Sequence, residues 1–489
     1  LTEVTEKRRP ISAEIEENKT YLNEKLGVGV SFDVGVHDFY VGSTRVLLYY
    51  INGFADSELL TEILQELNDL RNRETSENLF DHLLHKYIPF FQLTVVNTTD
   101  EFMDKLLSGM VGLIIDQSSR AIVMDTKVLP GRSPEEPDTE RIVRGAHDGF
   151  TESLVTNCVL TRRRIRDERL RFEIMRIGKR TKTDVSLSYI KDIANPRLVE
   201  TLRQRLKEID IDGIPMAEKT IEEFIIGKTF NPYPLVRYTE RPDVAAVHLL
   251  EGHVLIYVDT SPSVMITPAT YFHHVQHAEE YRQTPAVGAY LRWVRFFGIF
   301  FSVFLLPIWL TLVLKPSLIP ESLDFLGLKK PGSIPLLAQF IIAELGLDLM
   351  RMAAIHTPAP LSVALGLLAA ILVGEVAINV GLLAPETILY LAVAAVGMFA
   401  TPSYELSQAN RLVRLFLVLM AGIFSVPGLM IGLLLVLIAL ASTRSLNTPY
   451  LWPFIPFEYK AFKDVLVRLA VPYKNNRPSI VRSQDSSRQ

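Results

Sequence analysis

Ionisable residues set in otherwise apolar sequence carry the strongest chemical signal in this chain. Glu344, Asp348 and Arg351 stand at i, i+4 and i+7 in the segment Ile334 to Met352, which puts them on one helical stripe. Glu375 and Asn379 lie one turn apart in Leu361 to Leu383, beside a ladder of small residues, Gly366, Ala370 and Gly374, that permits close helix contact. An ionisable group in hydrocarbon costs at least ~2.5 kcal/mol, so it faces either a water-filled path or a partner. Two readings stay open. Glu344, Asp348, Glu375 and Asn379 line a cation pathway, or they serve packing, with Glu344, Asp348 and Arg351 pairing among themselves and Glu375 protonated in a helix contact.

The rest of the chain offers little catalytic chemistry. A P-loop needs a glycine five residues before its Gly-Lys, and the pairs Gly178-Lys179 and Gly227-Lys228 have Glu173 and Glu222 there. His273, His274 and His277 form an HHxxH cluster with a workable metal spacing. Only Glu279 and Glu280 stand near to complete it, so a polar helix face is expected and no metal. No GxSxG, HExxH or nucleotide fingerprint occurs. The single cysteine, Cys158, excludes an intramolecular disulfide and a cysteine-based metal site. A net charge of -4 argues against nucleic acid, which needs a broad cationic excess. The expectation is a protein that is not an enzyme and holds no cofactor.

Basic residues concentrate in Leu160 to Arg180, led by Arg162, Arg163 and Arg164. Three consecutive arginines cannot share one helix face, so charge is offered to at least two surfaces. One reading is assembly, through an adjacent subunit or acidic lipid; the other is a solvated helix-to-strand edge laced with Asp167, Glu168 and Glu173.

The elements that position these groups follow from periodicity. After a Glu-rich lead-in (1–27), Val28 to Ile51 alternates as a hairpin turning at Gly42-Ser43. Asp56 to Leu70 then sets Leu59, Leu60, Ile63, Leu64 and Leu67 on one helical face, with Asp56 as the expected N-cap. A helix near Glu101 to Leu107 and strands at Gly109 to Asp116 and Arg120 to Thr126 complete a first α/β subdomain (28–128). A Pro- and charge-rich linker region (129–183) follows. The second subdomain (184–292) reads as strand Asp184 to Ile190, helices Asn195 to Ile209 and Ala217 to Ile226, and strands at AAVHLLEG and HVLIYVD turning at Gly252-His253. Strand Pro262 to Pro268 and a helix through His273 to Tyr281 end it.

From Phe296 the composition changes. Uncharged runs such as Phe296 to Leu314 and Leu415 to Ala441 are long enough to cross a ~30 Å hydrocarbon core. The fold class expected is therefore an α/β N-terminal cytoplasmic region of two small subdomains, followed by an all-α multi-span membrane domain (293–442) of four or five spans and a basic tail (443–489). Pro385 to Ala400 is short, and Pro427-Gly428 interrupts the last run. No secretory signal is visible at the N-terminus, which places the first half in the cytoplasm. Five spans would then leave the tail outside with Arg444, Lys460, Lys463, Arg468, Lys474, Arg477, Arg482 and Arg488, against the positive-inside rule. Laying Ile334 to Met352 flat as an amphipathic helix is the simplest repair, with four spans and both ends inside.

Long ordered motifs add a resemblance. Pro130 to Arg166, IDIDGI (Ile209 to Ile214), YTERPDVAAVHLLEGHVLIYVDTSP (Tyr238 to Pro262), FATPSYELSQANRLVR (Phe399 to Arg414) and STRSLNTPYLWPFIP (Ser442 to Pro456) resemble the A subunits of GerA-type spore germination receptors. The wording NPYPLVRYTERPD looks most like that family's stage V sporulation AF branch. Two departures stand out: Ala146 where the family usually has proline, and LMRMA (Leu349 to Ala353) in place of LLREA. The resemblance implies a multi-pass protein of the spore inner membrane with its N-terminal domain on the core side. It also implies a homo-oligomer, expected as a pentamer, that associates with inner-membrane lipid and other germination membrane subunits and conducts monovalent cations. The competing class is a non-conducting scaffold or signal relay.

Overall fold

The computed structural model of the chain describes residues 9–54, 57–70, 79–84, 93–126, 136–137, 140–227, 230–356, 366, 371 and 375–488. Two compact units emerge, one built from residues 1–228, 238–268 and 474–489, the other from 229–237 and 269–473.

The first unit holds two five-stranded antiparallel sheets. Helix α1 (Ile15–Leu26) ends where Gly27 enters the left-handed region at φ 73, and the hairpin β1 (Val34–Val41) and β2 (Thr44–Ile51) turns at Gly42 as its period requires. Helices α2 (Ser57–Leu70) and α3 (Leu79–His82), strand β3 (Leu93–Val96), helix α4 (Thr99–Leu107) and the hairpin β4 (Val111–Ile115) and β5 (Ala121–Met124) complete the first sheet, ordered β1-β2-β4-β5-β3. The cap expected at Asp56 lies outside the described residues. Strands β4 and β5 are buried along their whole length because apolar clusters cover both faces. That explains their continuous apolar text, where β1 alternates.

The second sheet repeats this plan. Hairpin β6 (Leu170–Ile177) and β7 (Thr183–Ile190), helices α6 (Pro196–Lys207) and α7 (Ala217–Ile226), strand β8 (Arg237–Thr239), helix α8 (Pro242–Glu251) and hairpin β9 (Val254–Val258) and β10 (Val264–Thr267) give the order β6-β7-β9-β10-β8. Even the last turns agree: Gln117 after β4 and Thr260 after β9 both take positive φ, 64 and 72. AAVHLLEG, expected as a strand, is the helix α8, standing where α4 stands in the first sheet. Pro242 at its first turn and Gly252 at φ 97 after its last are start and stop signals that outweigh the β-like apolar run.

Helix α5 (Leu154–Arg162) is shared between the sheets. Its Val155 and Val159 close on Gly53 beside the first, while Thr161 Oγ1 lies 2.9 Å from the Tyr257 hydroxyl in the second. Seven of its nine residues are buried, and only Val155 and Thr156 are partly exposed. Burial in that layer pushes the Cys158 thiol well up, which keeps it an inert packing residue. Arg162 ends the helix at 1 % exposure. It pairs with Asp33 Oδ2 at 2.8 Å and donates to the carbonyls of Asp167 and Leu170 at 3.0 and 3.1 Å. Asp33 also accepts from Ser31 Oγ at 2.6 Å, and Ser31 Oγ in turn accepts from the Phe172 amide at 3.0 Å. The lead into β1 and the start of β6 are thereby joined through one buried ion pair.

Much of the basic patch is neutralised in the same unit. Arg164 pairs with Asp148 at 2.6 Å, Arg169 with Asp167 and Asp192 at 2.9 and 2.7 Å, and Arg203 with Glu173 at 2.7 Å. Arg163 and Arg166 are exposed and make no ion pair among the described residues.

Removing one member of a buried pair leaves an uncompensated charge, which costs about 3–5 kcal/mol. Arg162→Met should therefore lower the stability of the first unit by about that much, read as faster hydrogen exchange of β6 and β7 amides. Adding Asp33→Leu should recover a good part of the loss. Equal protection in Arg162→Met and the parent would show that the pair does not hold the two sheets.

Candidate functional site

The second unit is helical. The short helices α9 (Tyr271–Val275) and α10 (Ala278–Arg282) lead into α11 (Pro285–Leu314), which begins well before the uncharged run. Then come α12 (Leu336–His356), the single turn α13 (Ala377–Asn379), α14 (Pro385–Phe399), α15 (Tyr404–Ser442) and α16 (Tyr459–Leu466). Helices α11 and α15 are long and apolar enough to cross a membrane, and α14 is a shorter apolar helix. Gly298 and Gly397 let α11 and α14 touch backbone to backbone, since a Cβ on Gly397 would strike the Gly298 carbonyl.

Helix α15 is not one rod. The break expected at Pro427-Gly428 falls at Ser425, whose φ 55 and ψ -135 leave the helical region. Residues eight apart in a straight helix stand about 12 Å apart. Here a side chain at Gly428 would collide with the Met420 carbonyl, and one at Gly432 would lie 3.0 Å from Leu417 Cδ2. The second half therefore folds back along the first. Beyond it, Thr443 Oγ1 accepts from Asn231 at 2.7 Å, the Ala269 amide donates to Ser445 Oγ at 3.1 Å, and the Tyr271 amide to the Tyr450 carbonyl at 2.9 Å. The chain has thus come back to the end of the bundle where α11 starts.

Helix α12 carries the acidic stripe into the bundle core. Its Phe340 and Ala343 pack with Leu306, Trp309, Leu310, Leu391, Ala394, Val418 and Ala421. Gln339 is buried and satisfied: its Oε1 accepts from the Ala384 amide at 2.8 Å and from Thr387 Oγ1 at 3.1 Å, and its Nε2 donates to the Ile334 carbonyl at 2.7 Å. The side chain of one helix thus caps the start of α14. One turn further on, Glu344 meets Arg414 of α15: Nη2 donates to Oε2 at 2.8 Å, and Nε stands 2.6 Å from Oε1 in ion contact without a hydrogen bond. The remaining Arg414 nitrogen donates to the Ser302 carbonyl of α11 at 2.8 Å, and Arg414 is 1 % exposed. Asp348 pairs with Arg411, whose Nε is also 3.8 Å from Glu344. As the acids advance from 344 to 348 the arginines recede from 414 to 411, so α12 and the first half of α15 run antiparallel.

Of the stripe, Arg351 points elsewhere, donating to Met398 Sδ at 3.3 Å. The charges of Glu344 and Asp348 are met by α15 rather than by Arg351. Arg411 and Arg414 were not singled out as site residues from the sequence. Two arginines three apart at the entry to an apolar run, facing two acids four apart in another, is the signal that could have found them. Glu375 and Asn379 lie apart from this ladder, at the surface of the helical unit, and neither side chain has an ion pair or hydrogen bond among the described residues. Of the small-residue ladder, Ala370 and Gly374 lie outside the described residues.

The histidine cluster works in capping. His273 Nδ1 accepts from the Thr270 amide and His277 Nδ1 from the Glu279 amide, each at 3.2 Å. Among the described residues no group of three His, Cys, Asp or Glu could hold a metal ion. His274 is buried, hydrogen-bonded to the Pro234 backbone, and desolvation with nearby Arg237 pushes its pKa down to about 3.

A two-sheet α/β unit joined in one chain to a helical unit with apolar helices and an internal charge ladder defines a membrane-associated protein. Over residues 20–480 the chain matches the family model described as Bacillus/Clostridium GerA spore germination protein. It is 52% identical over 472 residues to stage V sporulation protein AF of Bacillus subtilis, covering 96% of each chain. Spore germination protein KA of the same organism is 29% identical over 99% of this chain and 90% of its own. The crystal structure of the N-terminal domain of the A subunit of the Bacillus megaterium spore germinant receptor GerK3 aligns at 32% identity and TM-score 0.43, covering 54% of this chain and 98% of that one. This chain belongs to the GerA spore germination family. These relatives are germination and sporulation proteins, and none is named as an enzyme.

Breaking the ladder from one side should be costly. Glu344→Gln and Arg414→Leu should each lower the thermal stability of the chain in detergent by about 3–5 kcal/mol, and the double variant should lose less than the sum. Strict additivity would show that the two groups do not depend on each other. His274 gives a second expectation. Its folded pKa is depressed, so the unfolded chain takes up the proton first, and stability present above about pH 6.5 falls by about 1.4 kcal/mol per unit as pH drops toward 3. Between pH 6.5 and 5, above most carboxylate titrations, His274→Leu should flatten the dependence of the melting midpoint on pH; an unchanged slope would assign the acid lability elsewhere.

Proposed function

We propose that this protein is the membrane subunit of a spore germination complex that crosses the spore inner membrane several times and conducts monovalent cations as a homo-oligomer, read as a pentamer, together with other germination membrane subunits. The observation that carries this reading is Glu375, a carboxylate on the surface of an apolar helical unit with no partner among the described residues. A charge so placed is sustained by water along an axis between subunits, and a ring of such carboxylates favours cations. Asn379, one turn on, adds a polar group to the same path. Glu344 and Asp348, already neutralised by Arg414 and Arg411, act near a mouth only through Asp348, the more exposed of the two.

The fold-back at Ser425 supports reading the last apolar run as two passes. Helix α12 starts at the end of the bundle opposite the start of α11. The Ser333 amide just before α12 donates to the Gly381 carbonyl at 2.8 Å, which sets the start of α12 beside the turn that precedes α14. In this reading the N-terminal unit lies on the spore-core side, and Arg163 with Arg166 is the charge it offers a neighbouring subunit or acidic lipid.

A non-conducting scaffold or signal relay is the second reading, favoured by the internal neutralisation of Glu344 and Asp348. Cation flux into liposomes holding the purified chain separates the two. Glu375→Gln should lower cation conductance or shift selectivity while membrane insertion is retained, and Glu375→Lys should turn selectivity toward anions or block flux. If Glu375→Leu conducts as well as the parent, the path does not pass this residue, and absence of flux in the parent favours the scaffold.

A further inference from the structure

We infer that the elbow after the last bundle helix, residues 451–467, is a membrane-surface anchor that seats in the headgroup layer of an anionic leaflet. The inference rests on the membrane-crossing reading of the helical unit and goes beyond it, because it assigns a lipid class to one segment.

The elbow turns apolar side chains outward that a water-facing loop would not keep. Phe454, Ile455, Phe457 and Tyr459 are 41%, 42%, 64% and 69% exposed, and they form a nearly continuous row. Phe462 sits behind the row with its ring 4.9 Å from Phe454 and 5.4 Å from Phe457, and Phe454 stacks on Phe272 at 4.9 Å. The aromatic set is thus held as a rigid surface. Helix α16 adds cations to that surface: Lys460 and Lys463, one turn apart, are exposed. Aromatic rings with lysines beside them are the composition of an interfacial segment, in which rings enter the acyl boundary and ammonium groups meet lipid phosphates.

The position of the elbow is fixed, and it points to the same occupant. Arg292 of α11 donates to the carbonyls of Asp464 and Val465 at 2.8 and 3.0 Å, capping the last turn of α16, while its Nε pairs with buried Glu280 at 2.7 Å. Arg468 donates to the Tyr281 carbonyl at 2.9 Å and also to that of Gln283. These bonds pin α16 beside the first turns of α11, where Tyr290, Trp293 and Phe297 are also exposed. Trp and Tyr at the mouth of an apolar helix mark the interface level of a bilayer. The exposed row of the elbow continues that belt, so a lipid leaflet covering one covers the other.

The test uses the full chain in nanodiscs with the lone cysteine replaced, Cys158→Ala, and a single fluorescent probe attached at Phe457→Cys or, as reference, at Leu434→Cys on the second half of α15. Discs of phosphatidylcholine are compared with discs containing phosphatidylglycerol, each with lipids brominated near the headgroup or deep in the chain. The Phe457 probe should be quenched by the shallow bromines, about twofold more strongly in the anionic discs. Lys460→Gln with Lys463→Gln should remove that difference and leave the Leu434 probe quenched by deep bromines as before. A Phe457 probe open to aqueous iodide while the Leu434 probe is lipid-quenched overturns the anchor and leaves the membrane-crossing reading intact. A Leu434 probe that no lipid quenches overturns the membrane-crossing reading and the anchor with it. Equal shallow quenching in both discs overturns the assignment to anionic lipid.

Discussion

The pairing of Glu344 with Arg414 is the constraint on which the helical unit depends. A carboxylate and a guanidinium among apolar helices each carry a desolvation penalty of several kcal/mol, and that penalty is offset only by close, fully bonded geometry. Here Arg414 donates to Glu344 Oε2 and to the Ser302 carbonyl and holds Oε1 in close ion contact, so one arginine ties α12, α15 and α11 together. Register and direction follow. With Asp348 on Arg411 one step along, a slide of either helix by a turn would bury two charges unpaired. Apolar packing around Trp309, Phe340 and Leu391 tolerates many arrangements; the ladder accepts one.

That arrangement leaves the rest of the apolar sequence to close the bundle. Helices α11 and α14 approach through facing glycines, and Gln339 holds the start of α14 against α12. The reversal at Ser425 lets a run about twice the thickness of a bilayer pack against itself. A serine at φ 55 and ψ -135 sits in a sparsely populated positive-φ region and is strained by roughly 1–3 kcal/mol, and the glycines at 428 and 432 remove the side chains that would keep the two halves apart. Local strain and close backbone contact are thus coupled features of one turn.

In the first unit the same logic operates with water nearby. Two sheets of one topology share α5, whose apolar surface needs both, and the Arg162 and Asp33 pair locks the junction. The patch that looks most like a docking surface in one dimension is largely consumed by this internal work. An arginine cluster beside a buried aspartate stabilises a fold before it can attract a partner, and Arg163 and Arg166 are the members left exposed with no ion pair among the described residues.

Sequence by itself determined the local elements of this protein: the β1-β2 hairpin, the amphipathic α2 and α6, the apolar runs of α11 and α15, and the polar stripe on α12. Their signals are periodicities and caps that act within one or two turns. It determined family membership too, because motifs from Pro130 to Pro456 keep their order. Helix α8 was misread because an apolar run of eight residues satisfies strand and helix alike, and only its Pro242 start and Gly252 stop distinguish them. The equal strand orders of the two sheets were invisible, since hydrogen-bond partners along a sheet leave no local trace. Tertiary structure alone decided that Arg411 and Arg414 answer Glu344 and Asp348, that Arg162 is internal while Arg163 is exposed, and that the last apolar run doubles back at a serine. Each is a matter of which distant group lies opposite, and charge and hydropathy along a chain cannot specify that until the backbone has folded.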